Sequence, residues 1–336
     1  MPLITIVDTN ERFSAEDGET ILGAAQRSST PFSFSCQAGN CGSCKCELIE
    51  GDIFEQEYSE FALTAAERAT NLILACRTQV WGDTTIRRLS DEEIVMHPSR
   101  ILRCRVSDIV QSTHDIRTVR LTNEDSGPLM FSAGQYASLE FAPGLVKQYS
   151  MANMPDETVL EFQVRRAANG RTSVYVAETL KGGDIVTVHG PLGSSYLRDR
   201  HAGPVIMIAG GTGLAPLQSI LRTMLTRGHA GPLMLYFGVR AERDVYNEAL
   251  LAALAEQHPN FSYQVVLSDD GGAETTTLRR RSGFVHHAVD ADLVTVDGYK
   301  AYLAGPPVMV EAATEMLKAK GLSVRDIHAD AYYDQP

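Results

Sequence analysis

Long apolar runs are missing from this 336-residue chain: none approaches the ~20 residues that a membrane span needs, so a spanning helix is excluded. A basic surplus is missing too. The 30 Lys and Arg against 42 Asp and Glu leave a net charge of -12, and without the basic footprint that phosphate binding needs, a nucleic-acid partner is not expected. The acidic balance would suit a basic protein partner or solubility. The opening MPLITIVDTNERF has no basic stretch leading into a long apolar run, so no secretion signal is expected and the expected compartment is the cytoplasm. Cysteine is scarce at six residues, and in a reducing compartment clustered cysteines are more often metal ligands or redox groups than disulfides. Neither a repeat, a low-complexity tract, a Ser/His/Asp arrangement nor a glycosidase-like carboxylate pair is evident. His286 and His287, beside a run of three arginines in an expected loop, lack the carboxylate-histidine spacing of a metal site.

The length suggests two or three domains, and three segments differ in rhythm. From Met1 to about Ser90 the chain carries 13 acidic and 7 basic residues and five of the six cysteines. Short alternating strands (LITIV, CELIE, TTIRR) flank small helices, one marked by a capping box of Thr64 and Glu67, which predicts a small α+β unit. The polar stretch DEEIVMHPSR, 91 to 100, reads as a linker. From Ile101 to about Arg200, alternating runs separated by Gly, Pro, Asn and Asp turns predict an antiparallel barrel, interrupted by a helix-like GRTSVYVAETLKGG. In the last third, unbroken apolar strands (PVIMIAG, PLMLYFGV, YQVVLS, YKAYLAG) alternate with helical patterns, which predicts βαβ units and a buried parallel sheet. One such helix is expected to follow Pro216 and to stop at Gly228.

The cysteines carry the most specific signal. Cys36, Cys41 and Cys44 in SCQAGNCGSC, with Cys76 in LACRTQ, have the plant-type spacing of a 2Fe-2S cluster, in which each iron completes a tetrahedral sulfur set with two thiolates. Gly39 and Gly42 would let the loop wrap closely enough for backbone N-H groups to face the sulfurs. A zinc knuckle or a set of exposed thiols is the alternative, although zinc sites usually pair two short C-x2-C units, which are absent. Cys46 and Cys104 fall outside the pattern and read as core residues.

Other motifs are weaker alone. KQYSMAN, from Lys147 to Asn153, places an aromatic beside a hydroxyl, which suits a flavin but equally suits ordinary strand packing. Gly170, Arg171, Thr172 and Ser173 open a helix and could hold a pyrophosphate or be a plain helix start. GGTGLAP, 210 to 216, follows a buried strand and precedes a helix, where glycines and a helix N-terminus favour an anion. It is not the Rossmann fingerprint, because Pro216 replaces the third glycine and no acidic residue lies about 20 positions on. AGPPVMV, from Ala304, repeats the arrangement, and two such loops in one sheet suggest a dinucleotide crevice.

In this order the three segments resemble the reductase components of bacterial aromatic-ring-hydroxylating dioxygenases of the naphthalene-dioxygenase type, a plant-type ferredoxin fused to a ferredoxin-NADP-reductase-like module. The phrases IVMHPSRI, GQYASLEF, YSMAN, GPLGSSYL and GGTGLAP carry the resemblance. It implies a β-grasp ferredoxin module over 1–92, a linker over 93–100, a flavin barrel over 101–201 and an α/β nucleotide module over 202–336. It also implies that Cys36, Cys41, Cys44 and Cys76 ligate the cluster, that Tyr149 stacks on FAD with Ser150 near N5, and that Lys147 stands where the family has an arginine. Gly170, Arg171, Thr172 and Ser173 would hold the FAD pyrophosphate. Gly210, Gly211, Thr212 and Gly213 would contact the nicotinamide nucleotide, Gly305, Pro306 and Pro307 would shape its nicotinamide end, and Tyr332 would cover the other flavin face. Ala304 stands where many relatives have a cysteine. Arg240 and Arg243 could meet a 2′-phosphate whereas Glu242 and Asp244 would oppose one, so NADH is expected ahead of NADPH. The implied acceptor is a Rieske-type ferredoxin or oxygenase. The rivals are a reductase for a di-iron monooxygenase or a deoxysugar dehydratase, or a non-enzymatic metal-binding scaffold.

Overall fold

The computed structural model describes residues 1–89, 95–269 and 279–333. Positions 91–94 of the expected linker lie outside the described residues. The chain divides into two compact units, Met1–Met96 with the C-terminal Tyr333–Pro336, and His97–Tyr332.

In the first unit, β1 (Leu3–Ile6), β2 (Glu11–Ser14), α1 (Ile21–Arg27), β3 (Lys45–Glu50), β4 (Ile53–Glu55), α2 (Ala65–Arg68), β5 (Leu72–Leu74), β6 (Thr78–Val80) and β7 (Thr84–Arg88) follow in order. Five strands form a mixed sheet in the order β2-β1-β7-β3-β5, parallel only between β1 and β7. Helix α1 buries Ile21, Leu22, Ala24 and Ala25 in a core shared with Ile4, Ile6 and Ile86, the packing of a β-grasp. The expected capping box is present: the Glu67 N-H donates to Thr64 Oγ1 at 3.2 Å and the Thr64 N-H to Glu67 Oε2 at 2.9 Å. Thr64→Ala is expected to lower the stability of this unit by about 1 kcal/mol in denaturant titration.

The second unit opens with β8 (Arg100–Gln111), β9 (Ile116–Asn123), β10 (Tyr136–Glu140), β11 (Val146–Ser150), β12 (Val159–Arg165), α3 (Arg171–Glu178) and β13 (Ile185–Leu192). The strands run antiparallel in the order β11-β10-β13-β8-β9-β12. A bridge between Met151 and Phe162 brings the two edges together, so the alternating segment closes nearly into a barrel around Leu102, Val119, Leu139, Phe162 and Val188. Cys104 sits fully buried among them.

The remaining elements are β14 (Val205–Gly210), α4 (Leu214–Thr226), β15 (Leu233–Val239), α5 (Glu248–Gln257), β16 (Phe261–Leu267), β17 (Arg280–Ser282), α6 (Val285–Asp292), β18 (Lys300–Gly305), α7 (Pro307–Ala319) and β19 (Ile327–Ala331). All strand pairs are parallel, in the order β17-β16-β15-β14-β18-β19. Every residue of β14 and β18 is buried, which is why these strands are unbroken apolar runs. The order reverses beside β14, and ligands of open parallel sheets bind at the carboxyl ends of the strands flanking such a reversal.

Two expectations need correcting. Helix α4 does not follow Pro216 but begins at Leu214, with Pro216 as its third residue, where a missing N-H breaks no intrahelical bond. His286 and His287 lie not in a loop but in the first turn of α6, their rings 4.2 Å apart. No helix among the described residues is long and apolar enough to cross a membrane.

Candidate redox site

The cysteine loop, 36 to 44, has no regular secondary structure and turns through positive φ at Gln37, Gly39 and Gly42. Gly42 has φ +71°, and a Cβ there would stand 2.8 Å from the Ala62 carbonyl oxygen, so conformation and space both demand glycine. The wrap aims backbone donors at sulfur. The N-H groups of Ala38 and Asn40 donate to Cys36 Sγ at 3.4 and 3.3 Å, and the Cys36 N-H donates to Cys41 Sγ at 3.5 Å. The Cys41 thiol, then the backbone N-H groups of Ala38, Asn40 and Cys41, lower the Cys36 pKa to about 6 and favour its thiolate, the form that binds metal.

The four sulfurs meet two by two. Cys36 contacts Cys41, and Cys76 contacts Cys44, with one thiolate and one thiol favoured in each pair. A single zinc would gather all four sulfurs about 3.8 Å apart. Yet no three of them lie mutually within 4.8 Å, a condition that only His114, Asp115 and Asp244 meet among the described residues. Two sulfur pairs fit two irons and not one zinc. All six cysteines are free of disulfides, and Cys46 is fully buried and outside the sulfur pairs. Tyr333, which clusters with this unit, donates its hydroxyl to the Asn40 carbonyl at 2.6 Å, a contact 293 positions apart in sequence that no local pattern could announce.

In the second unit, the strand β11 carries Lys147, Tyr149 and Ser150 on the rim of the barrel. Burial pushes the Tyr149 phenol well above its ordinary pKa, and its ring meets Phe141 edge-on at 5.9 Å. Ser150 Oγ lies 3.2 Å from Tyr332 Oη and 3.4 Å from Asp330 Oδ2, so the tyrosine picked from the C-terminal sequence stands beside the barrel serine. Asp330, itself buried, was not anticipated. Its only sequence signal was the alternation in HADAYY, while its pairing opposite Ala304 depends on the register of β18 with β19.

Helix α3 has Gly170 as its N-cap and so no side-chain cap, which leaves its first N-H groups open to an anion. Ser173 plays a more local part: its hydroxyl accepts from the Ala167 N-H and donates to the Gly170 carbonyl, both at 3.0 Å. Lys147 and Arg171 form no ion pair among the described residues. Two uncommitted cations and an uncapped helix suit a flavin diphosphate.

The two glycine-containing loops after β14 and β18 meet at the reversal of the sheet. Gly211–Gly213 form a 3-10 turn between β14 and α4, and a Cβ on Gly213 would collide with the Ala304 carbonyl. Gly305 has φ +144°, and a Cβ there would lie 2.8 Å from the Gly210 oxygen. The Tyr332 N-H donates to the Gly305 carbonyl at 2.9 Å, which ties this crevice to the serine-tyrosine pair. The barrel is fastened to the sheet by α4: Ser219 Oγ donates to the Asn153 carbonyl at 2.6 Å and Arg222 pairs with Glu157 at 2.6 Å.

Family models agree segment by segment: a 2Fe-2S iron-sulfur cluster binding domain matches 4–80, an oxidoreductase FAD-binding domain 103–196 and an oxidoreductase NAD-binding domain 207–315. The chain is 40% identical over 98% of both sequences to the ferredoxin--NAD(P)(+) reductase component of the naphthalene 1,2-dioxygenase/salicylate 5-hydroxylase systems of Ralstonia sp. It is 37% identical, with the same coverage, to the corresponding naphthalene 1,2-dioxygenase component of Pseudomonas putida. A crystal structure of an Amycolatopsis cytochrome P450 reductase superposes with a TM-score of 0.79 at 37% identity, covering 98% of each chain. The ferredoxin reductase of carbazole 1,9a-dioxygenase gives 0.71 at 29%, covering 99% of this chain and 98% of that one. With the modules in the same order over nearly the full length, the chain belongs to the naphthalene-dioxygenase-type family of reductase components, NAD(P)H-dependent oxidoreductases with FAD and a 2Fe-2S cluster.

Proposed function

We propose that this chain, in the cytoplasm, takes electrons from NAD(P)H and passes them through FAD and its cluster to a Rieske-type ferredoxin or oxygenase of an aromatic-ring-hydroxylating dioxygenase system. The observation that carries the reading is the coexistence, in one chain, of two sulfur pairs fit for two irons and a serine-tyrosine pair tied by backbone to a dinucleotide crevice. Bound flavin would supply the conversion of a two-electron hydride into single electrons that an iron-sulfur centre can accept.

The chain's own residues then have separable tasks. Gly210, Gly211, Thr212 and Gly213 hold the nucleotide, while Gly305, Pro306 and Pro307 shape the nicotinamide end. Tyr149 and Tyr332 flank the flavin ring, Lys147, Arg171 and the start of α3 hold its phosphates, and Ser150 donates toward N5. In this structure the Ser150 hydroxyl donates to Asp330 Oδ2 at 3.4 Å, and with only one proton it must give up that bond to donate toward the flavin. Ser150→Ala is expected to slow flavin reduction by NADH about 100-fold in stopped flow, with KM for NADH changed less than threefold; an unaltered rate would remove Ser150 from the reacting centre.

Reconstitution tests the acceptor. The purified reductase should reduce a Rieske ferredoxin or a Rieske oxygenase with NADH, and failure with both would overturn the proposal. A di-iron monooxygenase is the second reading, favoured by 36% identity over 98% of this chain to the reductase component of Pseudomonas phenol 2-monooxygenase, and it would gain support if only such an enzyme were reduced.

A further inference from the structure

The cysteine loop is braced from the far end of the sequence. Tyr333 groups with the first unit, and its half-buried phenol donates to the Asn40 carbonyl at 2.6 Å. That carbonyl belongs to the peptide group that joins Asn40 to Cys41, and in a trans peptide the N-H points away from the oxygen. The N-H of this group, carried by Cys41, faces the sulfur of Cys36. Phenol, peptide and sulfur therefore stand in series, O-H to carbonyl oxygen and then N-H to Sγ.

Such a series does more than hold the loop in place. A peptide whose oxygen accepts a hydrogen bond is polarised, and its N-H becomes a stronger donor, by about 10–30% for each bond in a chain. The acceptor at the end is a sulfur that also receives the N-H groups of Ala38 and Asn40, at 3.4 and 3.3 Å. Ser43 Oγ, at 3.3 Å from Cys41 Sγ, bears on the other sulfur of the pair. Donors to a cluster ligand favour the more negative, reduced state, and they are among the levers by which a protein sets a reduction potential.

We propose that Tyr333 is a positioning residue for the redox step: through the Asn40–Cys41 peptide its hydroxyl raises the reduction potential of the 2Fe-2S cluster and so favours acceptance of each electron. The inference rests on the reading of Cys36 and Cys41 as cluster ligands. It puts one determinant of the potential outside the cysteine loop, on the residue that follows Tyr332 in the chain. Adjacent tyrosines then serve the two redox groups in turn, Tyr332 the flavin and Tyr333 the cluster.

The test is the midpoint potential of the cluster in the intact holoprotein, read by spectroelectrochemistry and by electron paramagnetic resonance of the reduced state. Tyr333→Phe keeps the ring and removes only the hydroxyl. Weakening a charge-assisted donor by the fraction above should lower the ratio of reduced to oxidised cluster at a fixed potential about two- to threefold. For a one-electron couple that is a fall in the midpoint of about 18–28 mV. Replacing Tyr333 by 3-fluorotyrosine supplies a more acidic phenol and a stronger donor, and at neutral pH it should move the midpoint upward. A hydroxyl that served packing alone would lower the unfolding temperature of the first unit on removal and leave the midpoint where it was. A fall of less than about 10 mV in Tyr333→Phe, which is a change of about 1.5-fold, or shifts of the same sign in both variants, would overturn the proposal. If the native protein showed no cluster absorption, the reading of the cysteines would have failed, and the proposal with it.

Discussion

Cys41→Ser is expected to cut NADH-driven reduction of an iron-sulfur or haem acceptor at least about 100-fold, while reduction of ferricyanide, which can draw on the flavin directly, stays within about threefold. The separation follows from where the sulfurs sit. Cys41 contacts Cys36 and forms one of two sulfur pairs, so its loss leaves one iron with a single thiolate of this chain. The first unit has its own core around Ile4, Ile21 and Ile86, distinct from the cores of the barrel and the parallel sheet. The flavin and nucleotide crevice therefore has no structural need of the cluster. Visible absorption and electron paramagnetic resonance of the reduced variant would register the cluster, and stopped-flow flavin bleaching would register the hydride step. Equal loss of both activities would mean that the cluster holds the whole chain in its active form.

The cluster was legible because its information is local: three ligands and their glycines fall within nine positions, and the fourth follows in LACRTQ. The same holds for the parallel strands, since β14 and β18, buried on both faces, must be apolar at every position. What the sequence could not display was pairing between remote positions. Asp330 reaches Ser150 across 180 positions, and Arg280 neutralises Glu242 across 38. A charge looks the same in a sequence whether it is free or committed. For that reason Glu242 and Asp244 read as repulsive to a phosphate, although each has a partner. Helix α4 starts three residues before the Leu217 that follows Pro216, because proline suits more than one position in a first helical turn and the 3-10 turn of Gly211–Gly213 leads directly into the helix. Isolated motifs such as KQYSMAN are ambiguous because packing and cofactor binding ask for the same residue types on a strand, and that Ser150 stands beside Tyr332 is visible only in the fold.

Gly213→Ala is expected to destabilise the second unit by about 3–5 kcal/mol and to raise KM for NADH at least tenfold. Gly213 has an ordinary φ of −61°, so the demand for glycine is one of space and not of backbone conformation. An added Cβ collides with the carbonyl of Ala304, main chain against main chain, and no side chain can swing aside to relieve it. The only escape is to part the turn before α4 from the end of β18, the two loops of the crevice proposed for the nucleotide. Ala304 is paired with Ala209 on one side and Asp330 on the other, so the sheet resists that parting. Because β19 would be displaced with β18, the damage would extend to Ser150 and Tyr332. By contrast, Gly182→Ala adds a Cβ with nothing within 4 Å and should shift stability by no more than about 0.5 kcal/mol. Thermal unfolding monitored through flavin fluorescence would read the difference, with Tm lower by roughly 6–12 °C in the first variant and the cluster absorption of the first unit unchanged at room temperature. A Gly213→Ala protein with Tm within 2 °C of the native value, on the order of 1 kcal/mol or less, and an unaltered KM would show that the two loops do not meet as closely as the fold requires.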